Sequence, residues 1–345
     1  MPPRAAHLQE QLNSVVRQNR MNWIKKISQP RILVPVLLSL ALLAFVFTIS
    51  DLPRVIDRIR GVPIYTAGTV FWLAVIYLVL KGMQFHYFLV GIQIHPYWKD
   101  LALAYAVGEM VITLPAGSFA QNYMLRRIQG IDFSRSSAAT AAILAVEGSI
   151  ALLGLAVLGI PTWDWLQPAV IGFIALMAAL VVLFAKAERV GHLARDLLQA
   201  GPLEKIGPEF IETVDSLRQL FNLRTAAVGV SITVTYLGIL LVAFWLIGQG
   251  VGITTFTYRQ AATVYLFALA VTLLSPVSTQ LGVIEASGLG AMQAWGYDYT
   301  AGLAAMLGFR LVWVGSIWLS CGIVLLLLRN ELSKSSNDHR QEPPD

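Results

Sequence analysis

Two apolar segments of this chain are each interrupted by a proline. The first is LPAGSFAQNYMLRRIQG, residues 114–130, and the second is SPVSTQLGVIEASGLGAMQAWG, residues 275–296. After Pro115 or Pro276, each restarts a short helix pattern that ends on a glycine. Unpaired backbone groups are costly in lipid, so such breaks persist only where protein or a hydrated cavity covers them. Paired breaks in the two halves predict a substrate site near the middle of a bilayer.

Composition supports a membrane location. The 345 residues are 56% hydrophobic and 13% charged, and several apolar stretches reach transmembrane length. The net charge of +5 comes from Arg and Lys beside the predicted membrane ends, which is the positive-inside pattern rather than a nucleic-acid-binding face. We therefore expect no nucleic-acid partner. The single cysteine cannot form a disulfide within the chain.

The pattern predicts an all-α polytopic membrane protein with about six spanning helices and two Pro-broken re-entrant hairpins. The spans are expected at 32–50, 66–90, 134–160, 164–186, 224–248 and 299–328, and the hairpins at about 100–130 and 258–296. The sequence leaves open whether 258–296 is re-entrant or fully spanning. The distribution of Arg and Lys predicts that both termini are cytoplasmic, in a cell (inner) membrane.

Outside the predicted transmembrane domain, 32–328, the chain is more polar. Residues 1–31 are expected to form a cytoplasmic amphipathic segment without a cleavable signal, and 329–345 a disordered cytoplasmic tail. A cytoplasmic helical linker, 187–223, divides the domain into halves of about 60–186 and 224–328. Each half contains a spanning helix, a broken hairpin and a second spanning helix, which predicts an inverted repeat.

Five ionisable residues fall within the predicted membrane segments: Lys81, Glu109, Glu147, Glu285 and Arg310. Each would cost about 2.5–3.5 kcal/mol at mid-membrane if left alone, so we expect them to be paired or hydrated. Glu147 and Arg310 have matching depths along their helices, which predicts an ion pair. That pair could be a structural bridge between the repeats. Alternatively, Arg310 and Lys81 attract an anionic headgroup while the carboxylates tune the cavity.

The two restarted helices carry different capping signals. Ser118 to Gln121 forms an S-x-x-Q capping box, whose helix N-terminus would offer N–H groups to a phosphate. The second helix restarts near Gly282, where the carboxylate of Glu285 in the first turn completes the cap. The predicted hinge residues are Pro115, Gly117, Pro276 and Gly282.

No catalytic constellation emerges from the sequence. The five histidines show no metal-ligand spacing, and there is no Walker A motif, so we expect no metal, no cofactor and no enzymatic activity. A membrane-embedded transferase acting on polyprenyl phosphate would need acid/base residues near a leaflet surface. Only Asp132 and Asp164 are so placed.

The stretch LLSPVSTQLGVIEASGLGAMQAWGYDYTAGLAAMLGFRLVWVGSIWL resembles the lysylphosphatidylglycerol synthase/flippase transmembrane domain family, also called the flippase-like domain. The family's proline, Gly-rich turn, Glu and following Arg match Pro276, Gly282, Glu285 and Arg310. More loosely, LPAGSFAQNYMLRR resembles its first break, with Arg126 among the basic residues that follow. The chain departs from the family pattern at Thr279-Gln280, at Gly148 and at Ala120-Gln121. The resemblance covers about residues 60–328.

The resemblance implies lipid translocation between leaflets, with membrane lipids as partners. Together with the buried charges and the predicted cap of the first short helix, it suggests substrate-binding roles for Arg310, Lys81, Glu147, Glu285, Ser118, Gln121 and Arg126. The alternative is a non-transporting accessory subunit of a lipid- or glycan-modifying enzyme, docked through the linker helices. The sequence does not specify the headgroup, the direction of movement or the oligomeric state.

Overall fold

A computed structural model describes residues 51–112, 117–159, 207–220, 222–274 and 282–338, and these are helical without any β-strand. The ten α-helices of these residues are α1 Leu52–Arg60, α2 Ile64–Gly91, α3 Trp98–Val111, α4 Ala120–Gln129, α5 Phe133–Gly159, α6 Gly207–Leu220, α7 Leu223–Gly250, α8 Tyr258–Leu274, α9 Val283–Ala294 and α10 Tyr299–Asp338. The all-α fold class is therefore confirmed.

Four of these helices are long and apolar enough to cross a membrane. They are Ile64–Gly91, Phe133–Leu158, Arg224–Gly250 and Tyr299–Leu328, which agree with four of the six predicted spans. The other two predicted spans, 32–50 and 164–186, lie outside the described residues, as does the predicted N-terminal segment 1–31.

The last helix is longer than predicted. α10 continues to Asp338, into the segment that the sequence predicted to be a disordered tail. Residues 330–338 contain neither proline nor glycine, so nothing in them terminates a helix that the apolar segment has already nucleated.

Each predicted broken segment contains two helices that pack against one another, α3 with α4 and α8 with α9. The longer members have 14 and 17 residues, or lengths of about 21 Å and 26 Å. Both are shorter than the hydrocarbon core of about 30 Å. Pro115 and Pro276 lie outside the described residues, so the path of the chain between the paired helices is not part of this description.

Two glycines beside the breaks are required for different reasons. A Cβ added to Gly117, which begins a short 3₁₀ turn, would collide with the carbonyl group of Val111. Gly282, the N-cap residue of α9, has φ 83°, a backbone conformation that residues with a side chain rarely adopt. The first break therefore requires glycine because there is no room for a side chain. The second requires glycine because of its positive φ.

Helix contacts in the two halves correspond to one another. α2 and α7, the first spanning helices of their halves, pack together. α3 of the first half packs on α10 of the second, and α8 of the second half packs on α5 of the first. This exchange of equivalent contacts is what a repeated unit with a two-fold relation produces. The larger aromatic core lies at the centre of this arrangement, where Phe244 contacts Phe309 and Tyr265.

The two halves are most alike where each short helix ends. Gly130 and Gly296 have φ of 67° and 77°, and each is followed two residues later by an aspartate. Asp132 accepts hydrogen bonds from the backbone of Ser134 and Arg135, and Asp298 accepts one from Ala301. A left-handed glycine therefore ends one helix and an aspartate caps the next in both halves.

The described part of the predicted linker forms α6, which packs against the start of α5. Thr213 donates a hydrogen bond to the Ser134 carbonyl oxygen, and the Ser134 hydroxyl donates one to Glu212. Leu217 and Leu220 pack into a hydrophobic cluster with Leu89 of α2. The predicted linker is therefore helical over Gly207–Leu220, and residues 187–206 lie outside the description.

Arginine side chains bond to backbone carbonyl groups at the ends of neighbouring helices. Arg58 of α1 donates a hydrogen bond to the carbonyl oxygen of Val251, which follows α7. Arg259, at the start of α8, donates one to Leu158 near the end of α5. Arg135, near the start of α5, donates one to the carbonyl oxygen of Ile92 after α2. These arginines therefore join the ends of helices that are distant in sequence.

Candidate functional site between the two halves

A small cavity lies between the two halves and brings all five predicted membrane charges together. Its volume is about 130 Å³. The charged residues of its lining are Lys81, Glu109, Glu147, Glu285 and Arg310, which come from α2, α3, α5, α9 and α10. At about 30 Å³ for each molecule, this is room for only a few waters. The cavity therefore holds five charged groups within a largely apolar lining, and it is smaller than the roughly 300–1,000 Å³ of ordinary ligand pockets.

The first half contributes a lysine between two carboxylates. Lys81 Nζ lies 3.8 Å from Glu109 Oε1 and 4.0 Å from Glu147 Oε2. Its short hydrogen bond goes to the Tyr77 hydroxyl, at 3.0 Å. Nζ also lies 5.3 Å and 5.9 Å from the ring centroids of Tyr77 and Tyr236, within the range of cation–π attraction. We call Lys81, Glu109 and Glu147 the lysine cluster.

The second half contributes a closed ion pair. Arg310 donates a hydrogen bond to Glu285, and we call these two residues the arginine pair. The other oxygen of Glu285 accepts the backbone N–H of Gly282 at 2.8 Å, which completes the N-terminal cap of α9. The cap predicted from the sequence is confirmed. Glu285 thus ties the restart of the broken segment to the neighbouring helix α10.

The predicted partners of the buried charges were wrong in one respect. We expected Glu147 to pair with Arg310 because their depths match. Instead Glu147 lies beside Lys81, and Arg310 binds Glu285. Depth follows from the rise along a helix, whereas the partner depends on the direction in which the helix face points, which packing decides.

The predicted capping box at the start of the first short helix was also wrong. The N-cap residue of α4 is Phe119, with no side-chain cap. Gln121 instead donates a hydrogen bond to the Thr140 hydroxyl of α5, at 3.3 Å, and Asn122 donates another at 2.8 Å. The Gln121 side chain bonds to α5 rather than to the N-terminus of its own helix, because a buried amide is stabilised by a hydrogen-bond partner. Ser118 does line the cavity.

Arg126 is not brought to the cavity. It is exposed in the last turn of α4, where its carbonyl oxygen accepts the N–H of Gly130. A cation in the last turn of a helix interacts favourably with the helix dipole. The position accounts for the residue without any contact to the site.

Several uncharged residues of the site were missed by sequence reasoning. Tyr77 precedes Lys81 by one helical turn and packs edge-to-face on Tyr236 and Trp313. Gln84, one turn after Lys81 and fully buried, donates hydrogen bonds to Thr233 and to the Gly229 carbonyl oxygen. A polar stripe at i, i+4 and i+7 in an apolar helix was the signal that could have found them.

A second, larger groove lies beside the polar cavity. Its volume is about 750 Å³, and almost all of its lining is apolar, from α2, α3, α7 and α10. Tyr105 and Ala106 line this groove, while Glu109 on the same helix lines the cavity. The helix α3 therefore contributes to both the groove and the cavity, one helical turn apart.

The aspartate considered for acid/base chemistry has a structural environment. Asp132 caps α5, and the hydrogen bonds from Ser134 hold the pKa of its carboxyl below the ordinary value. A carboxylate stabilised in this way is a poor proton donor. Asp164 lies outside the described residues. Within the described segments, no group of three His, Cys, Asp or Glu residues is arranged to hold a metal ion.

The comparison with known proteins agrees with this architecture. No curated protein and no solved structure matches the chain. The family model described as the lysylphosphatidylglycerol synthase TM region matches residues 32–319, which include all five charged residues of the cavity. With a match over most of its length, this chain belongs to the lysylphosphatidylglycerol synthase TM region family.

Proposed function

We propose that this protein is a flippase-like transporter that moves a phospholipid or polyprenyl-linked lipid between leaflets. The observation that carries the proposal is the pairing of a polar cavity with an adjacent apolar groove. Lys81 and Arg310 give the cavity two buried cations, which suit the phosphate of a lipid headgroup. The groove offers a surface for the hydrocarbon chain.

Movement requires the cavity to open. At about 130 Å³ it does not accommodate a headgroup, so we take the described arrangement as closed. The repeat contacts of α3 with α10 and of α8 with α5 are the interfaces along which one half would rock against the other. An arriving phosphate would then compete with the carboxylates for Lys81 or Arg310.

The test is lipid movement in liposomes that contain the purified protein. Fluorescent phospholipids and a polyprenyl phosphate report the leaflet distribution. We expect Arg310→Gln and Glu147→Gln to slow movement at least tenfold. The matched control is Arg60→Gln, because Arg60 is exposed on α1 and far from the cavity lining. Equal movement in all folded variants would contradict a role for the buried charges.

The groove has its own variant. Ala102 lines it, and Ala102→Trp should obstruct a hydrocarbon chain. Leu153→Trp places the same side chain on the exposed face of α5, outside the groove lining, and serves as the control. Loss of movement with the first and not the second is expected. Unchanged movement in both would contradict the use of the groove.

The competing proposal is an accessory subunit of a lipid- or glycan-modifying enzyme, docked through the cytoplasmic helices. The packing of α6 does not favour it, because Leu217 and Leu220 are used within the protein. Absence of movement for every lipid in a folded protein would turn our proposal toward this reading. The inner membrane and the cytoplasmic side of both termini are part of the proposed topology.

A further inference from the structure

Charge does not balance in the cavity between the two halves. Among the described residues, the lining contains two cations, Lys81 and Arg310, against the three carboxylates Glu109, Glu147 and Glu285, which leaves one negative charge in excess. An uncompensated charge at membrane depth is energetically costly. Buried groups avoid this cost by taking up a proton.

The excess negative charge lies in the lysine cluster. Both oxygens of Glu285 have partners, Arg310 and the N–H of Gly282. Glu109 and Glu147 share a single ammonium group, at 3.8 Å and 4.0 Å, and neither is at direct hydrogen-bond distance from it. Their side chains are only 3% and 12% exposed, so solvent does little to stabilise a second charge.

Two buried hydroxyl groups beside this cluster point to an internal water. Tyr236, whose ring lies near Lys81 Nζ, is fully buried, and Tyr105, one helical turn before Glu109, is 8% exposed. Tyr105 lies beside Glu109 and Tyr236 beside Thr233, but neither hydroxyl makes a well-aligned hydrogen bond within the described residues. Buried hydroxyls ordinarily bind a protein group or an ordered water. A water at this place would give a proton a route between the carboxyls and the cavity.

We propose that Glu109 and Glu147 together hold one proton, which is the coupling ion for lipid movement. The coupling rests on the proposed function, whereas proton binding does not. The other titratable groups around the two carboxyls are Tyr77, Tyr105, Tyr236, Tyr265, Glu285 and Cys321. Tyrosine and cysteine ordinarily ionise at about 10 and 8.5, so the charged residues alone set the balance at neutral pH.

The proton and an anionic headgroup should bind together. A phosphate entering the cavity adds negative charge, which makes proton uptake by the lysine cluster more favourable. By linkage, the proton then raises the affinity for the phosphate by the same factor. Proton and lipid would move in the same direction, and release of the proton to water on the far side would weaken the hold on the phosphate.

Infrared difference spectroscopy of the purified protein in nanodiscs tests the proton directly. We expect the carbonyl stretch of one protonated, deuterium-exchangeable carboxyl group at neutral pH. Glu109→Gln and Glu147→Gln should each abolish this band, because either change leaves one carboxylate for Lys81. Asp57→Asn, at an exposed position on α1, is the control that should retain it.

The opposite change should strengthen the signal. Lys81→Met removes the cation and leaves two carboxylates, so we expect the band to grow about twofold in variants that keep their helix content and a single gel-filtration peak. Absence of a band in the wild type would overturn the proposal. Loss with only one of the two glutamine variants would also overturn it, because the proton would then belong to one carboxyl alone.

A pH gradient separates this inference from the function on which it rests. In liposomes we expect the gradient to bias the lipid distribution in the wild type, Glu109→Gln to abolish that bias, and Asp57→Asn, at an exposed position outside the cavity lining, to retain it. Lipid movement without an infrared band would contradict the proton site and remain consistent with the proposed transporter. A band with no movement of any lipid would leave proton binding intact and overturn its role in coupling together with the transporter.

Discussion

The two halves of this protein treat a buried cation in different ways. In the first half, Lys81 serves two carboxylates and bonds closely only to a tyrosine. In the second half, Arg310 has one carboxylate, which also caps a helix. Arginine with its planar fork suits a fixed pair, whereas the single ammonium of lysine can shift between partners. The first half thus holds a cluster whose charges do not balance. The second half holds a fixed ion pair, the arginine pair, which we call the clamp.

The largest effect is expected from breaking the clamp. Glu285→Gln leaves Arg310 without its counter-ion and weakens the cap at Gly282. We expect a loss of roughly 3–5 kcal/mol in the free energy of unfolding, as for buried pairs that lose one partner. Denaturation in mixed micelles measures it. Stability equal to the wild type would show that the arginine pair is not a clamp.

Removal of Lys81 should lower the free energy of unfolding slightly less than Glu285→Gln does. Lys81→Met leaves Glu109 and Glu147 without a cation, and we expect a loss of about 3 kcal/mol. The same unfolding assay on Lys81→Met/Glu109→Gln/Glu147→Gln, which has no charge in the cluster, should recover most of that loss. No recovery would mean that Lys81 matters through its packing on Tyr77 rather than through charge balance.

The two hinge glycines give a third comparison. Gly117→Ala should destabilise the protein by about 1–3 kcal/mol, because its Cβ meets the Val111 backbone, which cannot rotate away. Gly282→Ala should cost about 1–2 kcal/mol through its positive φ. Thermal unfolding ranks the two variants. Gly290→Ala is the control, because nothing lies within 4 Å of its added Cβ.

The two aspartates that cap helices, Asp132 and Asp298, should contribute differently to stability in thermal unfolding. Asp132 accepts more hydrogen bonds than Asp298, so Asp132→Ala should cost about 1 kcal/mol and Asp298→Ala less. The pKa of Asp132 is lowered by Ser134. Its contribution is therefore present above the ordinary pKa of about 4 and lost as the pH falls below it. Asp132→Asn should flatten this acid limb, and an unchanged limb would contradict the assignment.

The smallest effect on stability is expected in the lysine cluster, where negative charge is in excess. Glu109→Gln or Glu147→Gln leaves Lys81 one carboxylate, so stability should stay within about 1 kcal/mol of the wild type. This near-neutrality contrasts with Glu285→Gln and is the most direct check on the difference between the halves. A loss as large as that of Glu285→Gln would make the two halves equivalent clamps.

Local signals in the sequence predicted much of this architecture. Apolar length placed four spans, and Pro115 and Pro276 marked the breaks between shorter helices. The cap formed by Glu285 was predictable because its donor lies three residues away. The same reasoning failed at Gln121, whose amide is drawn to Thr140 on another helix. The Gly-x-Asp signal at Gly130 and Gly296 was present in the sequence and was overlooked.

Sequence alone determined the class, the family and the position of each buried charge along its helix, because hydrophobic length and the fixed helical rise are properties of neighbours along the chain. Only the tertiary structure decided which charges meet. Glu147 and Arg310 were predicted to have matching depths, yet each binds another residue. The direction of a helix face depends on side-chain packing against helices that are distant in sequence, and no local pattern encodes it.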